Sequence, residues 1–260
     1  MCRPDRPAWV IAHRGASRDR PENTFAAFDE ALRQGADGIE LDVQLTRDGV
    51  PVVYHDRTLV KAGGGRRKVA GLDFEELAGL DPGRRLDRRH HGQHIPALCD
   101  VLERYGGRTR LFVEIKTREG TGGAERHERL ARTVARLLEK MKLEKQTYLL
   151  SFDPTVLAAA RDESARVRAV LNLKPPRRLT KTLADRLDGL YALSADVRTL
   201  THAFAVALQV WNKPLYVYTC NTRQSAIRAL DAGAAGVMSD RPAWLADLFR
   251  RDPDVSKHEA

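Results

Sequence analysis

The chain has no apolar run long enough to cross a bilayer, which requires about 20 consecutive apolar residues in a helix. Its longest uncharged stretch near the middle, residues 199–212, is interrupted by polar side chains. Residues 1–7 are polar, and the apolar segment 9–12 is too short for the core of a secretory signal. We therefore expect no integral membrane segment and no leader peptide.

Cysteine is also scarce, with only three in 260 residues. Cys2, Cys99 and Cys220 are odd in number and widely spaced, and the chain has no C-x-x-C motif. This distribution argues against a framework of disulfides. A reducing, cytoplasmic setting fits it best.

Acidic residues are fewer than basic ones, 35 against 44, which gives a formal net charge of +9. Such an excess suits a phosphate-bearing substrate or a nucleic acid, and it also occurs on ordinary Arg-rich surfaces. Because the basic residues are spread along the chain, we expect no nucleic-acid partner.

Strand patterns and helix patterns alternate along the chain in about eight units, which is typical of a parallel sheet covered by helices. The predicted strands cover residues 9–12, 38–45, 110–114, 147–152, 168–173, 190–193, 215–219 and 236–238. The predicted helices cover residues 23–34, 96–105, 124–141, a segment from Pro154, and residues 179–187, 199–211, 223–232 and 242–249. Eight units in about 250 residues favour a closed (β/α)8 TIM barrel over an open sheet. The fold class is therefore α/β.

One segment interrupts this rhythm after the second strand and its short extended return. Residues 57–95 contain three consecutive glycines, many charged residues and one short predicted helix near residues 73–80. The segment is predicted to be an insertion subdomain or a long loop. We therefore expect a single barrel domain over residues 1–260.

Most of the chain's candidate functional side chains fall at predicted strand ends. They are His13, Arg14, Glu40, Asp42, His55, Glu114 and Lys116. In a (β/α)8 barrel the carboxyl ends of the strands form the face that carries the active site. Sequence order and barrel geometry thus place these residues on one rim.

Three of these side chains are carboxylates that could share a metal ion. Glu40 and Asp42 are two residues apart on a strand and point to the same face, and Glu114 comes from the neighbouring strand. Carboxylates this close repel one another unless a cation neutralises them. Oxygen ligands favour Mg²⁺ or Ca²⁺. Surface carboxylates or ion pairs with local arginines are the alternative.

The two histidines flank this acidic strand. His13 and His55 titrate near neutral pH, so the pair could serve as base and acid in one turnover. Arg14 and Lys116 could hold a phosphate, or balance the carboxylates. A purely structural role for each histidine is the alternative.

Three further features are less promising. His90, His91 and His94 are dense enough to suggest a metal site, but they lie in the irregular segment. The three glycines at 63–65 lack the Lys-Ser/Thr of a nucleotide-binding loop. Cys220 lies near the rim, but nothing marks it as a nucleophile.

Taken together, these motifs resemble those of the glycerophosphodiester phosphodiesterases of the bacterial, cytosolic type. The matching blocks are Ala12-His13-Arg14-Gly15, Pro21-Glu22-Asn23-Thr24, Glu40-Leu41-Asp42-Val43, His55-Asp56-Arg57-Thr58-Leu59, Ile95-Pro96, Val113-Glu114-Ile115-Lys116, Ser151-Phe152, Tyr218-Thr219-Cys220-Asn221 and Ser239-Asp240-Arg241-Pro242. The resemblance covers nearly the whole chain. It implies a TIM barrel with a small insertion after the second strand.

The resemblance also implies a chemistry: hydrolysis of small glycerophosphodiesters, such as glycerophosphocholine or glycerophosphoethanolamine, to sn-glycerol 3-phosphate and an alcohol. It implies a divalent ion, Mg²⁺ or Ca²⁺, on Glu40, Asp42 and Glu114, and His13 and His55 as the acid/base pair. In the family the glycerol 2-hydroxyl is thought to attack first, giving a cyclic phosphate that water then opens. Arg14, Lys116, Phe152, Tyr218 and Asn221 are the residues we expect to contact the substrate.

The chain departs from the family pattern in the pocket. Tyr218 stands where the family usually has Trp, and Ala97, Cys99 and Asp100 replace the usual Thr and Glu residues after Ile-Pro. These changes leave the head group open. A lysophospholipase D-like enzyme and a non-enzymatic phosphate- or nucleic-acid-binding protein are the alternatives. A homodimer is also left open.

Overall fold

The computed structural model of the chain describes residues 6–84, 88–117, 123–173, 189–252 and 255. Nine strands lie in these ranges: β1 Trp9–His13, β2 Gly38–Leu45, β3 Pro51–Val53, β4 Arg110–Ile115, β5 Thr147–Ser151, β6 Arg168–Leu173, β7 Ala192–Asp196, β8 Leu215–Tyr218 and β9 Ala234–Ser239. All but β3 form a parallel sheet that closes on itself, because β1 pairs with both β2 and β9. The predicted TIM barrel is therefore confirmed.

The described helices alternate with the strands. They are α1 Phe25–Arg33, α2 Phe74–Leu77, α3 Leu98–Tyr105, α4 Gly123–Met141, α5 Pro154–Glu163, α6 His202–Gln209, α7 Arg223–Asp231 and α8 Pro242–Arg251. Predicted and observed ends differ by a few residues. Thr24, for example, begins α1 by accepting a hydrogen bond from the Ala27 N–H. The helix predicted over residues 179–187 lies outside the described residues.

Aromatic side chains fill the interior of the barrel. The rings of Phe112 and Tyr148 stack with their centroids 4.5 Å apart, and Tyr216 meets Phe112 edge-on at 4.9 Å. All three are fully buried. Full burial of one large apolar side chain stabilises the fold by roughly 1.5–3 kcal/mol. This plug fills the barrel below the carboxyl ends of the strands, where the polar side chains lie.

The outer layer of the core joins helices to the sheet. Helix α4 is amphipathic, and Leu130, Val134 and Leu138 from one of its faces are buried. Residues spaced by three and four positions lie on one side of a helix, which is why this pattern predicts the covering layer. The strands, buried on both faces, are correspondingly rich in apolar residues.

The segment after β2 folds back as a hairpin and then packs on itself. Strand β3 pairs antiparallel with the end of β2, with Val43 opposite Val53. A separate apolar cluster joins β3 to the segment that follows it and contains Val52, Tyr54, Leu59, Ala62, Val69, Leu72, Leu77, Leu80 and Ile95. This cluster supports the interpretation of residues 57–95 as an insertion subdomain within one domain, which stays a proposal.

Within the part of the chain that the structure describes, no helix has the length and apolar character of a transmembrane segment.

Candidate active site

The turn after β1 is shaped by two residues in the left-handed region. Arg14 has φ 59°, and its backbone N–H donates to Oε2 of Glu40 at 3.0 Å. Gly15 has φ 82°, and a Cβ at this position would lie 2.7 Å from the backbone of Ala27. Left-handed backbone is unusual for a residue such as Arg and tends to mark a functional turn. The turn thus docks on α1 and aims Arg14 at the carboxylates of β2.

The three predicted carboxylates meet above the aromatic plug. Asp42 is directly opposite Glu114 in the pairing of β2 with β4, and Glu40 lies two residues earlier on the same face of β2. One oxygen from each of the three lies within 4.8 Å of the others. Their side chains are only 3%, 1% and 12% exposed for Glu40, Asp42 and Glu114, respectively. Three carboxylates this buried require nearby cations.

Two cations of the chain neutralise part of this charge. The Nζ atom of Lys116 lies 2.7 Å from Oδ1 of Asp42 and 2.5 Å from Oε1 of Glu114. Arg14 Nε lies 3.3 Å from Oδ2 of Asp42, which also accepts a hydrogen bond from Asn23 at 2.8 Å. Burial alone would raise the pKa of Asp42, but Lys116 and Arg14 outweigh it and hold that pKa well below its usual range.

Glu40 is less well compensated than Asp42. Burial, followed by the charge of Asp42 and then that of Glu114, raises the pKa of Glu40 to about 8. A buried carboxylate beside two others is stabilised in its charged form by a further cation. A hard divalent cation with oxygen ligands supplies this positive charge, so the donor set fits such an ion.

His13 is held from behind by the carboxylate of Asp240, which directly follows the last barrel strand. Its Nδ1 lies 2.6 Å from Oδ1 of Asp240, and its Nε2 faces Oε2 of Glu40 at 4.0 Å. Burial lowers the pKa of His13, but the hydrogen bond to Asp240 and the charge of Glu40 outweigh it, so the net pKa is raised. Asp240 in turn accepts hydrogen bonds from Asn221 at 2.6 Å and Ser17 at 3.2 Å.

His55 has a similar support. Its Nδ1 lies 2.8 Å from Oδ1 of Asp56, which places Nε2 on the opposite edge of the ring. Burial is the largest influence on this imidazole, and with the positive charges of Lys116 and Arg14 it lowers the pKa to about 4, although Asp42 and Asp56 oppose the shift. The two imidazoles are therefore biased toward opposite protonation states.

A cavity of about 450 Å³ opens onto these groups. Of the ten side chains that the sequence analysis selects, all but Asp42 and Asn221 line it. Phe152 and Tyr218 form one wall, with their rings nearly perpendicular and their centroids 6.5 Å apart. Asp42 does not line the cavity and is paired with Lys116. Asn221 does not line it either, and its side chain is hydrogen-bonded to Asp240 and Ser239.

The sequence alone assigns no role to several side chains at or beside the cavity. Asn172, at the end of β6, donates to Oε2 of Glu114 at 3.2 Å, and its buried Oδ1 has no partner among the described residues. A polar residue within an apolar strand was the available signal. Asp196 and Arg198 form an ion pair at the cavity wall. For Asp240 the available signal was its place in the motif Ser239-Asp240.

Two of the less promising candidates, Cys220 and the histidines at 90, 91 and 94, do not join this site. Burial raises the pKa of the Cys220 thiol to about 12, which is the opposite of what a nucleophile requires. In the described ranges, the groups close enough to share an ion are Glu40, Asp42 and Glu114, and a second set formed by Glu22, His55 and Asp56. His90, His91 and His94 are in neither.

The sequence model of the glycerophosphoryl diester phosphodiesterase family matches residues 13–244. The chain belongs to this family. A glycerophosphodiester phosphodiesterase of Caldanaerobacter subterraneus is 30% identical over 243 residues, covering 93% of this chain and 98% of the relative. The phosphodiesterase fold is shared by solved structures as well.

Two solved structures illustrate the likeness. The glycerophosphodiester phosphodiesterase of Agrobacterium tumefaciens superposes with a TM-score of 0.75 at 27% identity, covering 92% of this chain and 99% of that one. An Oleispira antarctica phosphodiesterase, solved with the product sn-glycerol-3-phosphate, gives a TM-score of 0.79 at 26% identity, with coverage of 92% and 95%. The protein is thus a phosphoric diester hydrolase of a family that generally depends on a divalent metal.

Proposed function

We propose that this phosphodiesterase hydrolyses small glycerophosphodiesters, such as glycerophosphocholine and glycerophosphoethanolamine, to sn-glycerol 3-phosphate and an alcohol. One observation carries the proposal: a single cavity joins a cluster of three carboxylates to two imidazoles, each backed by its own carboxylate. That combination suits acid/base chemistry at a phosphate held by a metal. The product bound to the Oleispira enzyme supports the same substrate class.

Glu40, Asp42 and Glu114 would hold the metal, and their carboxylate oxygens favour Mg²⁺ or Ca²⁺. When bound, the ion offsets charge that develops on the phosphate oxygens. Asn172 orients Glu114 through its hydrogen bond at 3.2 Å. Asn23 does the same for Asp42 at 2.8 Å.

The histidines would move the protons. His55, with its lowered pKa, is suited to take the proton from the glycerol 2-hydroxyl as that oxygen attacks phosphorus. His13, which Asp240 keeps protonated to higher pH, is suited to protonate the departing alcohol oxygen. The cyclic phosphate that results is then opened by water with the two roles exchanged.

The cations and the aromatic wall would bind the substrate. Arg14 and Lys116 face the cavity and supply positive charge for the phosphate. Phe152 and Tyr218 provide flat apolar surfaces against which a glycerol or head group can pack. Asn221 would act indirectly, by donating a hydrogen bond to Asp240.

The test is release of glycerol 3-phosphate from glycerophosphocholine in the presence of Mg²⁺ or Ca²⁺. We expect activity that chelation abolishes and that His13→Ala and His55→Ala each reduce strongly. His202→Ala, at an exposed position at the start of α6, is the matched control. Activity that survives both chelation and the double His variant would show that the site is assigned wrongly.

A further inference from the structure

The second group of side chains that could bind a metal ion is already paired with a lysine of the chain. Glu22, His55 and Asp56 lie close enough to share an ion. The Nζ atom of Lys61 is 3.0 Å from Oε1 of Glu22 and 3.2 Å from Oδ2 of Asp56. The ammonium group of Lys61 therefore balances this set.

These contacts form a continuous chain between two groups of the active site. Arg14 Nη1 is 3.1 Å from Oε2 of Glu22, whose other oxygen meets Lys61. Lys61 then meets one oxygen of Asp56, whose other oxygen is 2.8 Å from Nδ1 of His55. Each carboxylate is thus held at both oxygens, which fixes its rotation.

The backbone around Lys61 is well anchored, although its side chain is about half exposed. The neighbouring residues Leu59 and Ala62 are buried in the apolar cluster of the insertion. The Leu59 N–H donates to the carbonyl of Arg67 at 2.9 Å, and the Gly64 N–H donates to the carbonyl of Leu59 at 2.8 Å. Lys61 therefore extends from a fixed turn of the insertion toward the barrel rim.

Removal of the ammonium group would leave the carboxylates of Glu22 and Asp56 facing one another without the cation between them. Like charges at this separation repel, so each would be free to turn away. His55 and Arg14 would then lose the orientation that these carboxylates impose. Exposed ion pairs add only about 0–1 kcal/mol to stability, so the effect would fall on geometry more than on folding.

We propose that Lys61 is a positioning residue through which the insertion aligns both Arg14 and His55 for the phosphodiesterase reaction. The inference rests on the proposed function, because it takes the roles of Arg14 and His55 from there. Through Lys61, the insertion would take part in positioning the catalytic groups.

The test compares Lys61→Met and Lys61→Arg with the wild-type enzyme, measuring kcat and KM for glycerophosphocholine at saturating metal together with the thermal midpoint. Loss of an orienting partner outside the reacting groups typically costs about 10- to 100-fold. We expect Lys61→Met to lose kcat by that factor at an unchanged thermal midpoint. Lys61→Arg, which keeps the charge, should recover most of it. Lys145→Met, at an exposed position before β5, should match the wild type.

The outcomes separate the two proposals. A wild-type enzyme inactive on every glycerophosphodiester refutes the proposed function itself. An active wild type with a Lys61→Met variant within twofold of its kcat refutes only the role of Lys61. The role is also refuted if kcat and the thermal midpoint fall together and Lys61→Arg fails to restore kcat, since that pattern reflects a structural contact.

Discussion

The imidazole Nδ1 of His13 lies 2.6 Å from Oδ1 of Asp240, although the two residues are 227 positions apart in the chain. The contact exists because β1 and β9 are neighbours in the closed barrel, with Ala12 opposite Ser239. The closure of the barrel therefore also completes the site. Any change that separates β1 from β9 would disturb the orientation of His13 as well as stability.

Asp240→Asn should alter the pH dependence of the reaction. The carboxylate of Asp240 helps to raise the pKa of His13, so its removal lowers that pKa. If His13 acts as the acid, it then loses its proton at lower pH, and the alkaline limb of the pH profile of kcat shifts to lower pH. We also expect kcat to fall by about 10- to 100-fold.

The measurement is a full pH–rate profile of the wild type and the variant, with Asp247→Asn, at a half-exposed position of α8, as the control. An alkaline limb that stays in place would remove His13 from the role of acid. Movement of the acidic limb instead would reverse the assignment of the two histidines.

The metal concentration that the enzyme needs should depend on the three carboxylates Glu40, Asp42 and Glu114. Glu114→Gln removes one charged ligand and also disturbs the pair with Lys116. We expect at least about a tenfold higher concentration of Mg²⁺ or Ca²⁺ for half-maximal activity. Metal titrations of activity, and direct binding by calorimetry, provide the measurement. Glu125→Gln, in the exposed first turn of α4, should change neither the metal titration of activity nor the metal affinity. If Glu114→Gln leaves both unchanged as well, Glu114 is not a metal ligand.

The parts of this architecture that were predictable depend on local periodicity. Alternation of period two places Glu40 and Asp42 on one face of β2, and the order of strands brings Glu114 beside them. Contacts such as that of Asp56 with Lys61 depend on side-chain directions between separate segments, which periodicity does not encode.

Asn221 is a second case in which the sequence pattern does not reveal the direction of a side chain. Its motif places it at the rim, but its amide turns to Asp240 and away from the cavity. Only the packed structure shows which polar side chains line the cavity and which hold other side chains in place. The same holds for Asn172, whose hydrogen bond to Glu114 spans 58 positions in the chain.

Substrate choice should favour small polar head groups over acylated substrates. The cavity wall carries the ion pair of Asp196 and Arg198, and an acyl chain that passed over it would remove these charges from water. We expect kcat/KM for glycerophosphocholine to exceed that for lysophosphatidylcholine by at least about tenfold, a difference of about 1.4 kcal/mol. Parallel assays of head-group release measure the ratio. A preference for the lysophospholipid would favour the lysophospholipase D-like alternative.

Gly15→Ala should affect both stability and activity, and a second glycine separates the two causes. Gly15 and Gly233 both have positive φ, 82° and 75°, so alanine at either position costs about 1–2 kcal/mol of backbone strain. A Cβ at Gly233 meets nothing within 4 Å, whereas one at Gly15 lies 2.7 Å from the backbone of Ala27. The Gly15 variant must therefore also shift the turn that carries His13 and Arg14.

Denaturant unfolding should show that the free energy of unfolding falls by about 1–2 kcal/mol for Gly233→Ala and by more for Gly15→Ala. Activity under conditions where both remain folded should fall only for Gly15→Ala. Equal activities would show that the turn tolerates displacement and that its fixed geometry is not required.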